Sequence, residues 1–183
     1  MSDPTSRPEK RTANLIAFTG LATSGKTTAA KPLTAKGFRL ISFATPVKRM
    51  VEVLTLCRDK SERPEVLCGK TIREAYQSLG TDWGRRMVGD DIWVNIGRNA
   101  IQSELACEDT RGVVLDDLRF NNEALCVKQL GGIVVEVRRH GLVRMEHASE
   151  AGVSPELVDL VIENTGSETD LQLQVMELFG LQP

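Results

Sequence analysis

The chain is poor in the residues that build metal centres and nucleophilic sites. Its four cysteines, Cys57, Cys68, Cys107 and Cys126, form no C-x-x-C pair, and its histidines are His140 and His147 alone. A structural zinc site needs several such ligands at short spacing, so none is expected, and the cysteines read as free thiols in a reducing compartment. No run is long and apolar enough to span a bilayer, and no charged, apolar, then small-residue leader opens the sequence. No membrane association and a cytoplasmic location are therefore expected. Excess positive charge is missing as well: 23 Lys plus Arg stand against 25 Asp plus Glu, for a net charge of −2. Proteins that coat nucleic acid polymers draw their affinity from neutralising phosphates, so that class is disfavoured, although a local basic pocket is not. There is no internal repeat and no guanine-reading N-K-x-D word.

What is present suits one domain with a real core. The 183 residues are 41% hydrophobic and 26% charged, ordinary values for a globular chain. Met1 to Thr12 is polar and reads as a disordered lead-in (1–12) to a domain over 13–183. Strands are expected at Leu15–Thr19, Phe38–Phe43, Gly112–Asp116, Ile133–Val137 and Val158–Ile162, nearly continuous apolar runs of the kind buried on both faces of a parallel sheet. Helices are expected between them: Thr27–Ala35 before Gly37, Pro46–Leu56, Ile72–Leu79, a stretch near Trp83–Met87, Asp91–Cys107, Asn121–Leu130 before Gly131-Gly132, and Arg144–Ala151. The Asp91–Cys107 stripe is Ile92, Trp93, Ile96, Ala100, Ile101 and Leu105. A short turn at Ser154-Pro155-Glu156 and a Ser167/Asp170 capping box before a last helix complete the series. Strand alternating with helix implies an α/β fold in three layers with a five-stranded, mainly parallel sheet. The region from Ala44 to about Gly112 has helices but no strand and reads as an insertion.

One segment carries most of the chemistry. Gly20-Leu21-Ala22-Thr23-Ser24-Gly25-Lys26-Thr27 fits G-x-x-x-x-G-K-[ST], between an expected strand and an expected helix. Glycines let the backbone curl so that successive N–H groups point at one anion, and the helix N-terminus adds its positive dipole end. Lys26 is expected to reach the β and γ phosphates, and the Thr27 hydroxyl to sit on magnesium. Gly20, Ala22, Thr23, Ser24, Gly25 and Thr28 complete the expected ATP-binding set.

Weaker constellations surround it. Asp116 and Asp117 end an apolar strand, where ligands gather in parallel sheets. One suits the magnesium shell and the other a cap, with Asp117 the working assignment. Residues 73–93 are dense in polar handles, and Gly80 and Gly84 suggest a loop where backbone meets ligand. Arg138-Arg139-His140 and Arg144 follow the fourth strand and suggest a short lid over 138–150 as readily as plain surface charge.

With these words in hand, the chain resembles the bacteriophage-type deoxynucleoside monophosphate kinases, within the wider nucleoside monophosphate kinase group. The likeness runs from about Leu15 to Leu178. Beside the P-loop it rests on Phe43-Ala44-Thr45-Pro46-Val47-Lys48, Leu79-Gly80-Thr81-Asp82-Trp83-Gly84-Arg85, Asp91-Ile92-Trp93-Val94, Asp117-Leu118-Arg119-Phe120-Asn121-Asn122-Glu123-Ala124, Gly131-Gly132 with Arg138, His147-Ala148-Ser149-Glu150 and Ile162-Glu163-Asn164-Thr165-Gly166-Ser167. The resemblance implies a P-loop NTPase-type domain with a nucleotide-monophosphate-binding helical insert (44–111). It implies phosphoryl transfer from ATP to a deoxynucleoside monophosphate with Mg²⁺. Lys48, Arg73, Gln77, Thr81, Asp82, Arg85 and Trp93 would face the acceptor. Arg119 and Arg138 would serve the transferring phosphates beside Lys26 and Asp117, with Thr27 and Asp117 at the metal. Asn164, Thr165 and Gly166 would border the adenine. The chain departs from the family's usual pattern at Thr27 and near Thr45, where Asp is common. The Asp91–Cys107 helix offers a face for a homodimer. Two rival readings are a P-loop kinase for another small acceptor, such as dephospho-coenzyme A, and a nucleotide-dependent switch with no acceptor at all.

Overall fold

Five short apolar segments set the architecture. A computed structural model of the protein describes residues 13–142 and 152–182. The strands are β1 (Leu15–Thr19), β2 (Phe38–Ile41), β3 (Gly112–Leu115), β4 (Ile133–Arg138) and β5 (Leu160–Glu163), in the sheet order β2-β3-β1-β4-β5. β1 pairs in parallel with β3 and β4, and β4 in parallel with β5. The five-stranded parallel sheet read from the sequence is what forms. β1 and β3 are buried at every residue, as a central strand covered on both faces must be.

Successive side chains leave a strand on opposite faces. Ile16 and Phe18 of β1 join Val114, Val135, Val137 and Ile162 in a core with α1 (Lys26–Ala35) and α6 (Glu168–Leu178). The alternate residues face the other way, where Leu15 and Val127 of α5 (Asn121–Gln129) press on Gly132 so closely that any Cβ there would meet them. The last strand begins two residues later than expected. Pro155–Leu157 forms a 3₁₀ turn, and Asp159 is committed to the Lys128 ammonium and the Val134 N–H.

The chain divides into two compact units: Ile41–Ala100, and the residues on either side of it in sequence, which carry the sheet. The second unit, Ile41–Ala100, is helical. It holds α2 (Thr45–Thr55), a 3₁₀ turn at Glu65–Leu67, α3 (Ile72–Gln77) and the start of α4 (Ile92–Leu105). α3 opens on a capping box: Thr71 Oγ1 accepts from the Glu74 N–H, and the Glu74 carboxylate accepts from the Thr71 N–H.

Two expectations fail here. Gly80 and Gly84 do not open a loop, because α3 runs on without a break into an 11-residue π-helical stretch, Ser78–Val88. Gly84 lies under the Trp93 indole, where a Cβ would collide with the ring, and the indole Nε1 donates to the Gly80 carbonyl at 2.7 Å. The α4 stripe also differs. Trp93, Val94, Gly97 and Ile101 are buried, while Ile96 is 42% exposed and Ala100 is exposed. The physical reason is Gly97, which admits the Phe43 ring so closely that the helix turns that face inward.

The lead-in 1–12, the helix expected at Arg144–Ala151, and Arg144 and His147 lie outside the described residues, as does most of the lid expected at 138–150.

Candidate active site

The P-loop joins β1 to α1 as its sequence demands. Gly20 and Gly25 have φ of +131° and +111°, values that L side chains rarely adopt. At Gly25 the space is closed as well: a Cβ would lie 2.7 Å from Asn164 Nδ2 and 2.8 Å from Leu171 Cδ2. At Gly20 it would collide with the Val137 carbonyl. Thr23 also sits at positive φ (62°), a strained conformation of the kind concentrated at ligand loops. α1 has no side-chain cap, and a helix N-terminus offers an anion its positive dipole end.

Lys26 folds back over this loop. Its ammonium donates to the carbonyls of Gly20 at 2.8 Å and Leu21 at 2.6 Å. Thr27 donates to Asp116 Oδ2 at 2.8 Å. The carboxylate that meets the P-loop hydroxyl is therefore that of Asp116, where the sequence reading favoured Asp117. Both follow β3, and the direction a side chain takes just past the end of a strand has no sequence signal. A hydroxyl beside a carboxylate is the hard oxygen donor set that Mg²⁺ takes, with phosphate and water completing its shell. The residues present fit that ion.

A cavity of about 240 Å³ opens over the loop. Thr19, Gly20, Ala22, Ser24 and Lys26 form its floor, with Arg119 on one wall and Arg138, Arg139 and His140 on another. Four side chains cationic at neutral pH face one carboxylate, Glu136, so the cavity is locally basic in a chain that is acidic overall. Glu136 Oε2 accepts from Arg138 Nε at 2.9 Å, and this ion pair holds the guanidinium still more firmly protonated. The Ser24 hydroxyl is buried with no hydrogen-bond partner among the described residues. Buried orphan hydroxyls are costly, and one in the floor of an anion cradle suits a phosphate oxygen.

The Arg119 segment is fixed from two sides. Leu118 donates to the Phe18 carbonyl at 3.3 Å and accepts from Thr19 Oγ1 at 3.1 Å. The buried Glu123 carboxylate accepts from the Arg119 and Phe120 N–H groups at 2.9 and 3.2 Å. Sequence reading gave no role at this site to Glu123 or Glu136 and left Arg139 between a lid and plain surface charge; the alternation of β4 was the available signal for Glu136.

Asn164 is one of the residues expected to border the adenine. It is buried, and its amide donates to the Ser24 carbonyl at 2.8 Å. Thr165 and Gly166 after it are exposed.

The expected acceptor residues belong to the second unit. Lys48, Arg73 and Asp82 are exposed, and Gln77 and Thr81 are half-buried. Arg73, Gln77 and Thr81 recur at four-residue steps along the continuous helix, which sets them near one face. Asp82 Oδ1 accepts from Arg86 at 3.0 Å. Arg85 is buried and donates to the Asp90 carbonyl at 2.9 Å. Trp93, expected to touch the acceptor, is 4% exposed with its N–H committed to Gly80. It is a packing residue that holds the helix carrying the others.

Comparison with known proteins identifies the family. The sequence profile described as deoxynucleotide monophosphate kinase matches residues 65–175. A protein of Acanthamoeba polyphaga mimivirus, provisionally described as a deoxynucleotide monophosphate kinase, is 31% identical over 182 residues, covering 88% of this chain and 94% of its own length. The deoxynucleoside-5'-monophosphate kinase of Escherichia phage T5 is 26% identical over 120 residues, 60% of this chain and 46% of that one. Among solved structures, TT1252 from Thermus thermophilus superposes with a TM-score of 0.51 at 20% identity over 94% of this chain and all of its own, a likeness of fold. Profile, relatives and a P-loop cradle at the end of a parallel strand converge: the chain belongs to the deoxynucleotide monophosphate kinase family.

Proposed function

We propose a division of labour between the two units of this nucleoside monophosphate kinase. The sheet unit holds the donor, ATP. Its triphosphate is taken by the N–H groups from Ala22 to Thr28, by Lys26, and by Arg119 and Arg138. The observation that carries this reading is the basic cavity of Lys26, Arg119, Arg138 and Arg139 directly over the P-loop. Thr27 and Asp116 would hold Mg²⁺, which supplies charge neutralisation between the donor phosphates when bound. Thr165 and Gly166 border the adenine. The second unit holds the deoxynucleoside monophosphate through Lys48, Arg73, Gln77, Thr81 and Asp82.

No general base is needed. The acceptor's phosphate has a second pKa of about 6 and is largely ionised at neutral pH. Lys26 leaves the Gly20 and Leu21 carbonyls for the donor phosphates, and the arginines stabilise charge on the transferring group. Positioning and electrostatics then account for the rate. A homodimer through α4, whose Ile96 is exposed, is proposed as the assembled form. Sedimentation checks it against the 20.1 kDa monomer.

The test is ADP release with ATP and Mg²⁺ against a panel of dAMP, dCMP, dGMP, dTMP, their ribose forms and dephospho-coenzyme A. Stimulation by one or more deoxynucleoside monophosphates is expected, and it gives the base specificity at once. Stimulation only by dephospho-coenzyme A overturns the acceptor assignment. ATP binding with no stimulated turnover returns the chain to the switch reading.

A further inference from the structure

Asn164 stands at a junction that neither its motif nor its neighbours in sequence reveal. Its side-chain amide donates to the Ser24 carbonyl at 2.8 Å, across 140 positions of sequence. Its main-chain N–H donates to the Arg138 carbonyl at 2.7 Å. The side chain is buried and lies against Gly25, closing the space where a Cβ would go. One residue thus fixes the turn of the phosphate loop just before Lys26 and the end of β4, where Arg138 lines the cavity. The Ser24 carbonyl is engaged by this bond, which holds the peptide carrying the Gly25 N–H in one orientation. The Ser24 hydroxyl is left buried, without a partner among the described residues.

We propose that Asn164 is a positioning residue for the donor's phosphates: it presets the Ser24–Lys26 backbone for the polyphosphate, and it does not read the base. Backbone donors aimed in advance at an anion give most of their benefit because nothing reorganises when the ligand arrives. A carboxamide is suited to the task. Its N–H₂ can donate to a carbonyl, whereas the isosteric carboxylate of Asp would turn an acceptor toward that carbonyl and repel it.

The inference rests on the P-loop being the donor site, and the experiment separates the two. Mg²⁺-tripolyphosphate, ATP and GTP are titrated calorimetrically into the wild-type protein, Asn164→Asp and Asn164→Ala, with thermal melts run beside them. Tripolyphosphate has no base, so it isolates the phosphate cradle. A wild-type protein that binds no tripolyphosphate and no ATP refutes the donor-site reading itself. If the proposal holds, both variants melt cooperatively and lose affinity for all three ligands by a common factor of about 10 to 100. The ratio of ATP to GTP affinity stays within about twofold of wild type, and in turnover assays the KM for the deoxynucleoside monophosphate changes less than the KM for ATP. Weakened ATP with unchanged tripolyphosphate overturns the proposal in favour of a base contact. Unchanged binding of all three, or variants that no longer fold, overturns it in favour of a contact that serves the fold alone.

Discussion

Lys26 and Asp116 show how much a single side chain can decide. Lys26 lies on the Gly20 and Leu21 carbonyls, within reach of the cavity it lines. Lys26→Ala removes a point charge from the cradle and leaves the core untouched. Phosphoryl transfer should fall by at least about 10²-fold, the range for loss of one preorganised electrostatic contact, with the melting temperature nearly unchanged. Near-normal turnover would sink the P-loop assignment. Because Thr27 donates to Asp116, Asp116→Asn should raise the Mg²⁺ concentration needed for half-maximal rate well above that of Asp117→Asn, and the opposite order would return the metal to Asp117. The P-loop was legible from the sequence because its chemistry is contiguous: eight residues in a row make one anion site. The choice between Asp116 and Asp117 was not legible, since both follow the same apolar strand. Nor was the Asn164–Ser24 bond, whose partners lie in different segments with no local pattern to join them.

Elements record a different balance between pattern and packing. The strands and the helices α1, α5 and α6 were readable because period, caps and glycines agree there. The Ser167/Asp170 box forms as its spacing implies, and the two hydrogen bonds from Ser167 hold the Asp170 carboxyl below its ordinary range. The helix over Ile72–Val88 was misread at Gly80 and Gly84, which look like breakers until the Trp93 ring covers Gly84 and its indole N–H bonds to the Gly80 carbonyl. At its start, Thr71 donates through both its N–H and its hydroxyl to Glu74, pulling that carboxyl from 4.5 down to about 2. A folded pKa below the unfolded one means the stabilisation is full above pH 4.5 and is lost as pH falls toward 2. Glu74→Gln should lower the urea midpoint at neutral pH and bring the variant and wild-type curves together in acid. A difference that is constant down to pH 2 would show that the cap is not a charged one.

At the scale of the whole molecule, a net charge of −2 conceals a local concentration of cations over the P-loop, so bulk charge says little about phosphate binding. Among the described residues no helix is long and apolar enough to cross a membrane. The two units predict separable footprints in hydrogen exchange. ATP alone should protect amides of residues 20–28, and a deoxynucleoside monophosphate alone should protect 73–85. A footprint of the monophosphate confined to 20–28 would contradict the division of labour. The order of the strands has a further consequence, for how the chain is made. β1 is translated first and ends in the middle of the sheet, with Leu15 opposite Val113 and Ile16 opposite Ile133. Its nearest partner leaves the ribosome roughly 100 residues later, on the order of 5–20 s at ordinary synthesis rates. Through that interval both edges of an apolar strand are unpaired, and the whole second unit is made in between. The strand that presents the phosphate loop is thus the one that waits longest for neighbours, and a nascent-chain chaperone that shields it should govern the yield of folded enzyme more than any step after release.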